Sequence, residues 1–319
     1  MNPILVALDG STFAEASIPI AIGLARQLEA PIELVTVHEA APGLHNISGS
    51  SAQEHELERE QVAQRHQAAV RTLHALRDRI AQRPYAPVVT MRVLAGVPAE
   101  RLLEHAQECG ARILVVTTHG LGGLSRQWMG SVTDALVRHA TIPIVTVRPD
   151  VTHANVAVEA LRDWSLNRLL VTLDGSIGAE RILEPLSALF PASVEYRLLR
   201  VVSPQNPLRR ALTPTSEHER DLAEQRQRAT TYLEGIEARL QAQGIRATHR
   251  IMTDSVPAQA IADGAHEPDV DLVAIATHGR GALGRIMLGS VADKVLRTAD
   301  KPVLLYRVNE RAAATQPAS

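Results

Sequence analysis

The string Thr118-His119-Gly120, nine residues, then Gly130-Ser131-Val132 recurs as Thr277-His278-Gly279, nine residues, then Gly289-Ser290-Val291. The spacing between the copies is constant from Val97 to Arg148, so the recurrence marks a duplicated folding unit. Whatever architecture one half adopts, the other must adopt too. The 319 residues therefore read as two domains of ordinary size.

Each half carries the same succession of signals. Ile4-Leu5-Val6-Ala7-Leu8 runs into Asp9-Gly10-Ser11, and Leu169-Leu170-Val171-Thr172-Leu173 runs into Asp174-Gly175-Ser176. Helical patterns follow over 13–29 and about 177–190, then strands over Ile32–Val37 and Val194–Val202. Long polar helices span 52–82 and 216–243, and strands lie near Val88–Leu94 and Ala247–Met252. Val97-Pro98-Ala99 and Val256-Pro257-Ala258 place proline in the first turn of the next helix. Strands Ile113–Thr117 and Leu272–Ala276 end in the glycine loops, a helix follows Ser131 or Ser290, and Pro143–Val147 or Pro302–Tyr306 closes each half. Five strands alternating with helices predict a doubly wound α/β domain with a parallel sheet, written twice. The expected boundaries are 1–150 and 169–309 for the domains, a linker over 151–168 and a disordered tail over 310–319. The Pro-, Gly- and Ser-containing segments 39–51 and 203–215 read as loops able to fold over a ligand.

Hydrophobic residues make up 45% of the chain but aromatics only 3%, so aliphatic side chains fill both cores, as in parallel strands buried on two faces. A net charge of −2 supplies no electrostatic footprint for nucleic acid. The single cysteine, Cys109, excludes an internal disulfide and fits a reducing compartment. No leader is legible, and no run approaches the ~20 apolar residues of a spanning helix. The expectation is a cytoplasmic protein without a membrane partner.

Ligands of such sheets bind where the strands end. Asp9 and Asp174 end the first strands and can accept from an adenine amino group or a ribose hydroxyl, or can simply close an Asx-turn with Gly10-Ser11 and Gly175-Ser176. Gly130-Ser131 and Gly289-Ser290 open helices. Ser131-x-x-Asp134 and Ser290-x-x-Asp293 match a capping box, while the same free N–H groups suit phosphate. The helix dipole is worth about 0.3–1 kcal/mol, against about 8 kcal/mol for micromolar affinity, so a buried base must supply most of the binding. Arg126 and Arg285 stand six residues after the first loop glycine, as phosphate contacts or as surface arginines. His119 and His278 read as neutral side chains that lock the turn and stand with the ligand-facing set, rather than as acids or metal ligands. Gly96 allows close backbone approach where the second half has Ser255.

Other chemistries find little support. Gly279-Arg280-Gly281-Ala282-Leu283-Gly284 fits a dinucleotide fingerprint but follows the fourth strand of its half instead of the first. There is no P-loop, no nucleophile elbow and no H-E-x-x-H, and His105 with Cys109 reads as an incidental pair, so no metal ligands or catalytic residues are assigned.

The Asp-Gly-Ser strand end, the Val-Pro-Ala turn, the His-Gly loop, the nine-residue spacing, Gly-Ser-Val and the closing Pro-led strand together resemble the universal stress protein family. Two copies cover nearly the whole chain, so the resemblance is to a tandem member. It implies an adenine nucleotide alpha hydrolase-like five-stranded parallel sheet in each half, the halves related by a pseudo-twofold as in a fused dimer, with further homodimerisation open. It also implies ATP, with Mg2+ as a companion ion. The implied contacts are Asp9 and Asp174 to base or ribose, and backbone near Val37 and Val201. Gly120, Gly130, Ser131, Val132 and Thr133 would meet phosphate, with Gly279, Gly289, Ser290 and Val291 in the second half. The family motif G-x-x-G-x9-G-[S/T] is departed from at its first glycine, Thr117 or Ala276, and Ala292 replaces the hydroxyl of Thr133. The first half is thus expected to bind more tightly. The resulting expectation is an ATP-binding stress-response sensor or regulator, with at most slow hydrolysis and an unidentified protein partner. The alternative is an adaptor that binds no nucleotide and works through protein contacts, and an ATP-pyrophosphatase reading lacks its Ser-Gly-Gly loop.

Overall fold

The computed structural model describes residues 2–38, 52–118, 129–149, 163–204, 215–278 and 288–308. The chain divides into two compact units, Met1–Trp164 and Ser165–Ser319. In the first, the elements run β1 (Ile4–Leu8), α1 (Thr12–Glu15), α2 (Ile18–Leu28), β2 (Ile32–His38), α3 (Ala52–Ala81), β3 (Val89–Ala95), α4 (Pro98–Glu108), β4 (Ile113–Thr117), α5 (Ser131–His139) and β5 (Ile144–Val147). The second repeats them as β6 (Arg168–Thr172), α6 (Ile177–Glu180), α7 (Leu183–Leu189), β7 (Glu195–Val202), α8 (Thr215–Ala242), β8 (Ala247–Thr253), α9 (Pro257–Ala265), β9 (Leu272–His278), α10 (Ser290–Thr298) and β10 (Val303–Val308).

Within each unit the strands are parallel, in the spatial order β3-β2-β1-β4-β5 and β8-β7-β6-β9-β10. β1, β4 and β5 are buried along their whole length, which is why they read as unbroken aliphatic runs without alternation. The long α3 docks through Leu73, Leu76 and Ile80, and α8 through Ala229, Leu233, Ile236 and Leu240. These residues recur at three- and four-residue intervals on the C-terminal half of each helix, leaving the rest polar. An ion pair seats each long helix on the first short one: Arg79 to Glu15 at 3.1 Å, and Arg239 to Glu180 at 3.3 Å.

The single helix expected over 13–29 is two helices. The fully buried Ser17 donates its hydroxyl to the Ala14 carbonyl at 2.6 Å, and Pro19 lies in the first turn of a second helix that starts at Ile18. Proline has no N–H to extend the preceding helix, so the chain turns and restarts. The second half breaks at the same place, after Glu180. Of the expected linker, residues 151–162 lie outside the described residues, as does the whole expected tail 310–319, whereas Asp163 and Trp164 pack on the first unit. Asp163 pairs with Arg83 at 2.8 Å and Arg26 at 3.5 Å. Trp164 lies so close to α2 that a Cβ on Gly23 would stand 2.3 Å from its carbonyl oxygen and 2.5 Å from its ring. Gly23→Ala should therefore destabilise the protein by about 1–3 kcal/mol through overpacking, read as a lower urea midpoint at unchanged slope.

Candidate functional site

In the order β3-β2-β1-β4-β5 the chain moves outward from β1 in both directions, and the crevice at the carboxyl ends of β1 and β4 is the topological switch point. β1 emerges there at the exposed Asp9. The Asp9 carboxylate accepts from the Ser11 N–H at 2.9 Å and from the Ser11 hydroxyl at 2.6 Å, and Ser11 Oγ accepts from the Ala14 N–H at 3.1 Å, capping α1. The Asx-turn is thus formed. Gly10 makes it possible with φ of +83°, and no described atom lies within 4 Å of where its Cβ would be, so among the described residues the floor of the turn is open. Asp174-Gly175-Ser176 builds the same turn, with Ser176 N–H donating to Asp174 at 2.9 Å and Gly175 at φ +83°.

β4 ends beside this turn. The Gly130 N–H donates to the Thr118 carbonyl at 2.8 Å, which brings the start of α5 to the same edge. Gly130 and Gly289 are the N-caps of α5 and α10, and neither helix has a side-chain cap. The expected capping boxes are not formed. Ser131 and Ser290 are the first helical residues, one position too late to cap, and Asp134 and Asp293 turn to Arg138 at 2.8 Å and Arg297 at 3.0 Å. The N–H groups of Ser131, Val132 and Thr133 consequently have no acceptor within their helix, and likewise those of Ser290, Val291 and Ala292. Ser131 is exposed and Val132 half-buried. Thr133 is buried and its hydroxyl donates to the Thr117 carbonyl at 2.8 Å, tying α5 to β4. Ala292, buried at the same position, has no hydroxyl to do so. Thr117 is itself a buried strand residue, so this departure from the glycine motif is absorbed into β4.

β2 completes the edge with Val37 and His38, both half-buried. The Gly96 N–H donates to the His38 carbonyl at 3.0 Å. Gly96 has φ of +133°, and a Cβ there would stand 2.8 Å from Arg101 Cγ, so no other residue fits without displacing that side chain. His38 Nδ1 is buried with no hydrogen-bond partner among the described residues, its ring meeting that of His66 edge-on at 5.7 Å. The sequence reading missed His38; the available signal was a polar residue immediately after Val37 at the end of an apolar strand. His119, Gly120, Arg126, Gly279 and Arg285 lie outside the described residues, and His278 is the last residue of β9.

The second crevice differs in its contents. The pairings Leu8 with Thr36 and Thr172 with Leu199 put Arg200 where the first half has Thr36. Its guanidinium lies against Gly175, with all three of its nearest atoms within 2.8 Å of where a Cβ would be. The same group stacks over the ring of Tyr232 at 5.1 Å, a cation–π contact. Burial, with the Glu180 carboxylate nearby, pushes the Tyr232 phenol well above its ordinary range. Val201, half-buried, follows Arg200 on β7. On the opposite edge of the first sheet, Glu33, His105 and Cys109 converge. The pair read as incidental gains its third member from a strand 72 residues earlier, a distance over which spacing carries no signal. Burial, and then the Glu33 charge, push the Cys109 thiol up from its usual pKa.

Thr133→Ala, which copies the second half, should cost about 1 kcal/mol, measured by urea unfolding.

A profile of the universal stress protein family matches residues 1–148 and 165–307. A universal stress protein of Mycolicibacterium smegmatis is 26% identical over 307 residues, covering 95% of this chain and 96% of that protein. Universal stress protein YxiE of Bacillus subtilis is 28% identical over 152 residues, 46% of this chain and 99% of its own length. The crystal structure of a universal stress protein from Archaeoglobus fulgidus has the same fold, with a TM-score of 0.59 at 16% identity and 97% of each chain covered. Among the described residues, no helix is long and apolar enough to cross a membrane.

Proposed function

The chain belongs to the universal stress protein family, and from that premise we propose that its first half holds ATP, with Mg2+, and acts as a stress-response sensor or regulator. The observation that carries this reading is the floor over Gly10, open among the described residues, bordered by a helix N-terminus without a side-chain cap and a buried imidazole nitrogen without a partner among the described residues. Asp9 would take the ribose or adenine, backbone at Val37 and Gly96 the base, and the N–H groups of Ser131, Val132 and Thr133 the phosphates. Gly120 and Arg126 belong to the same proposed set. His38 Nδ1 adds a polar atom that a base or ribose can satisfy, and burying an orphaned group of this kind without a partner costs about 1–3 kcal/mol. ATP supplies a polyanion and a flat apolar base; the protein supplies the dipole and the burial. We assign no catalytic base, so regulation would follow from binding and release, with hydrolysis at most slow.

The second half fits the adaptor alternative better. Arg200 covers Gly175 where no described residue covers Gly10, so a base entering there must displace a cation–π contact of about 0.5–2 kcal/mol. That weakens the Asp174, Gly289 and Ser290 site by about two- to thirty-fold. Denaturing the purified protein and quantifying released nucleotide should give one equivalent of ATP per chain. No nucleotide, together with no thermal shift on adding ATP, would replace this reading with the adaptor one for the whole chain.

Two variants sharpen the assignment. Gly130→Val should lose the bound ATP and keep the fold, because Gly130 has φ of −63° and a Cβ there would come only within 3.8 Å of the Thr118 carbonyl. Unchanged affinity would move the phosphate site elsewhere. Arg200→Thr combined with Tyr232→Thr should raise ATP binding toward two equivalents, read by equilibrium dialysis.

A further inference from the structure

Glu33 is the second residue of β2, near the amino ends of the strands and on the edge opposite Asp9. His105 and Cys109 stand four residues apart on α4 and at its C-cap, on one helix face. One carboxylate oxygen, one imidazole nitrogen and the thiol sulfur lie within 4.8 Å of one another. Around a tetrahedral zinc ion with bonds of about 2.0–2.3 Å, such donors stand about 3.5 Å apart, a difference that side-chain rotation closes. Glu33 and His105 are buried and Cys109 is half-buried, leaving one approach to the cluster from its thiol side.

Two neighbours orient the donors. His105 Nε2 faces Glu33 Oε2 at 3.1 Å, while its Nδ1 faces the Glu108 carboxylate at 3.8 Å. The Glu108 contact is longer than a hydrogen bond, but rotation of that exposed side chain brings it onto Nδ1, the carboxylate–histidine relation of a ligating imidazole. Arg92 Nε stands 3.5 Å from Glu33 Oε1, holding one oxygen and leaving the other for the cluster. The duplicated half shows that the fold itself needs none of this. By strand register Arg197 replaces Glu33, and by the constant spacing after Val97 and Val256, Gly264 and Pro268 replace His105 and Cys109. There Arg197 pairs with Asp269 at 2.5 Å and Glu267 at 3.2 Å, closing the same edge with an ordinary ion pair. All three donors changed together.

We propose that Glu33, His105 and Cys109 form a binding site for a thiolate-preferring divalent transition-metal ion of the zinc class, with the fourth position open to water or an exogenous ligand. Glu33 binds through Oε2, His105 through Nε2 as neutral imidazole, and Cys109 as thiolate, its proton passing to solvent as the sulfur–metal bond forms. The ion takes the place of the proton between His105 Nε2 and Glu33 Oε2, and that proton moves to Nδ1, which faces Glu108. Two anionic ligands balance the dication, and the bonds join α4 to β2.

The test uses the full chain, freed of nucleotide and treated with chelator, titrated with Co2+ alone. One equivalent should bind with a near-ultraviolet thiolate-to-cobalt band and intense four-coordinate visible bands, and Zn2+ should abolish both. Cys109→Ser, with folding checked by circular dichroism, should lose the near-ultraviolet band. Glu33→Gln should weaken binding at least about tenfold. Glu108→Gln should keep the bands and weaken binding about tenfold, as expected of a positioning residue. Gly130→Val should titrate like the wild type, which separates this site from the proposed nucleotide site. Absence of the bands at one equivalent, weak six-coordinate bands only, or an unchanged spectrum in Cys109→Ser would overturn the proposal.

Discussion

Parallel pairing of β1 with a neighbour on each side is the constraint from which the rest of each half follows. Parallel strands need crossover helices, so every strand in the unit ends on the same edge. With the strand order reversing at β1, the segments that follow β1 and β4 diverge and leave a crevice between them. Asp9, His38, Gly96 and Thr118 meet on that edge although up to 109 positions separate them in the sequence. The opposite edge collects the strand starts and the helix ends, and it is there that Glu33 meets His105 and Cys109.

Duplication lets each half serve as a control for the other. What both halves keep is what the frame requires: the Asx-turn after the first strand, the glycine N-cap after the fourth, and the ion pair seating the long helix on the short one. What differs is what sits on the frame. Thr36 and Thr72 in the first half correspond to Arg200 and Tyr232 in the second, a change that lays a guanidinium over Gly175 where no described atom lies over Gly10. The buried cluster on the far edge changes in the same concerted manner. The two units therefore share an architecture while presenting different chemistry on both edges.

Much of the fold was legible because its signals are local. Buried parallel strands announce themselves as aliphatic runs, and the prolines at Pro98 and Pro257 mark first helical turns wherever they fall. The break at Ser17 was missed because the hydrophobic pattern of 13–29 continues smoothly across it, while the hydroxyl that ends the first helix bonds only once the chain has turned. The capping boxes failed for a similar reason. Their spacing was right, but Gly130 and Gly289 took the cap positions and the aspartates found arginines one turn on.

By itself the sequence determined two copies of a five-stranded α/β unit and the strand-end residues around which a ligand reading can be built, since repeats and periodicity survive in one dimension. Only the tertiary structure decided how those residues are used. It left Gly10 uncovered by any described residue and laid Arg200 over Gly175, turned the Thr133 hydroxyl toward β4, and carried Glu33 to a helix 72 residues away. Contacts between distant segments depend on register and helix placement, and those are set by burial of the whole sheet rather than by any spacing along the chain.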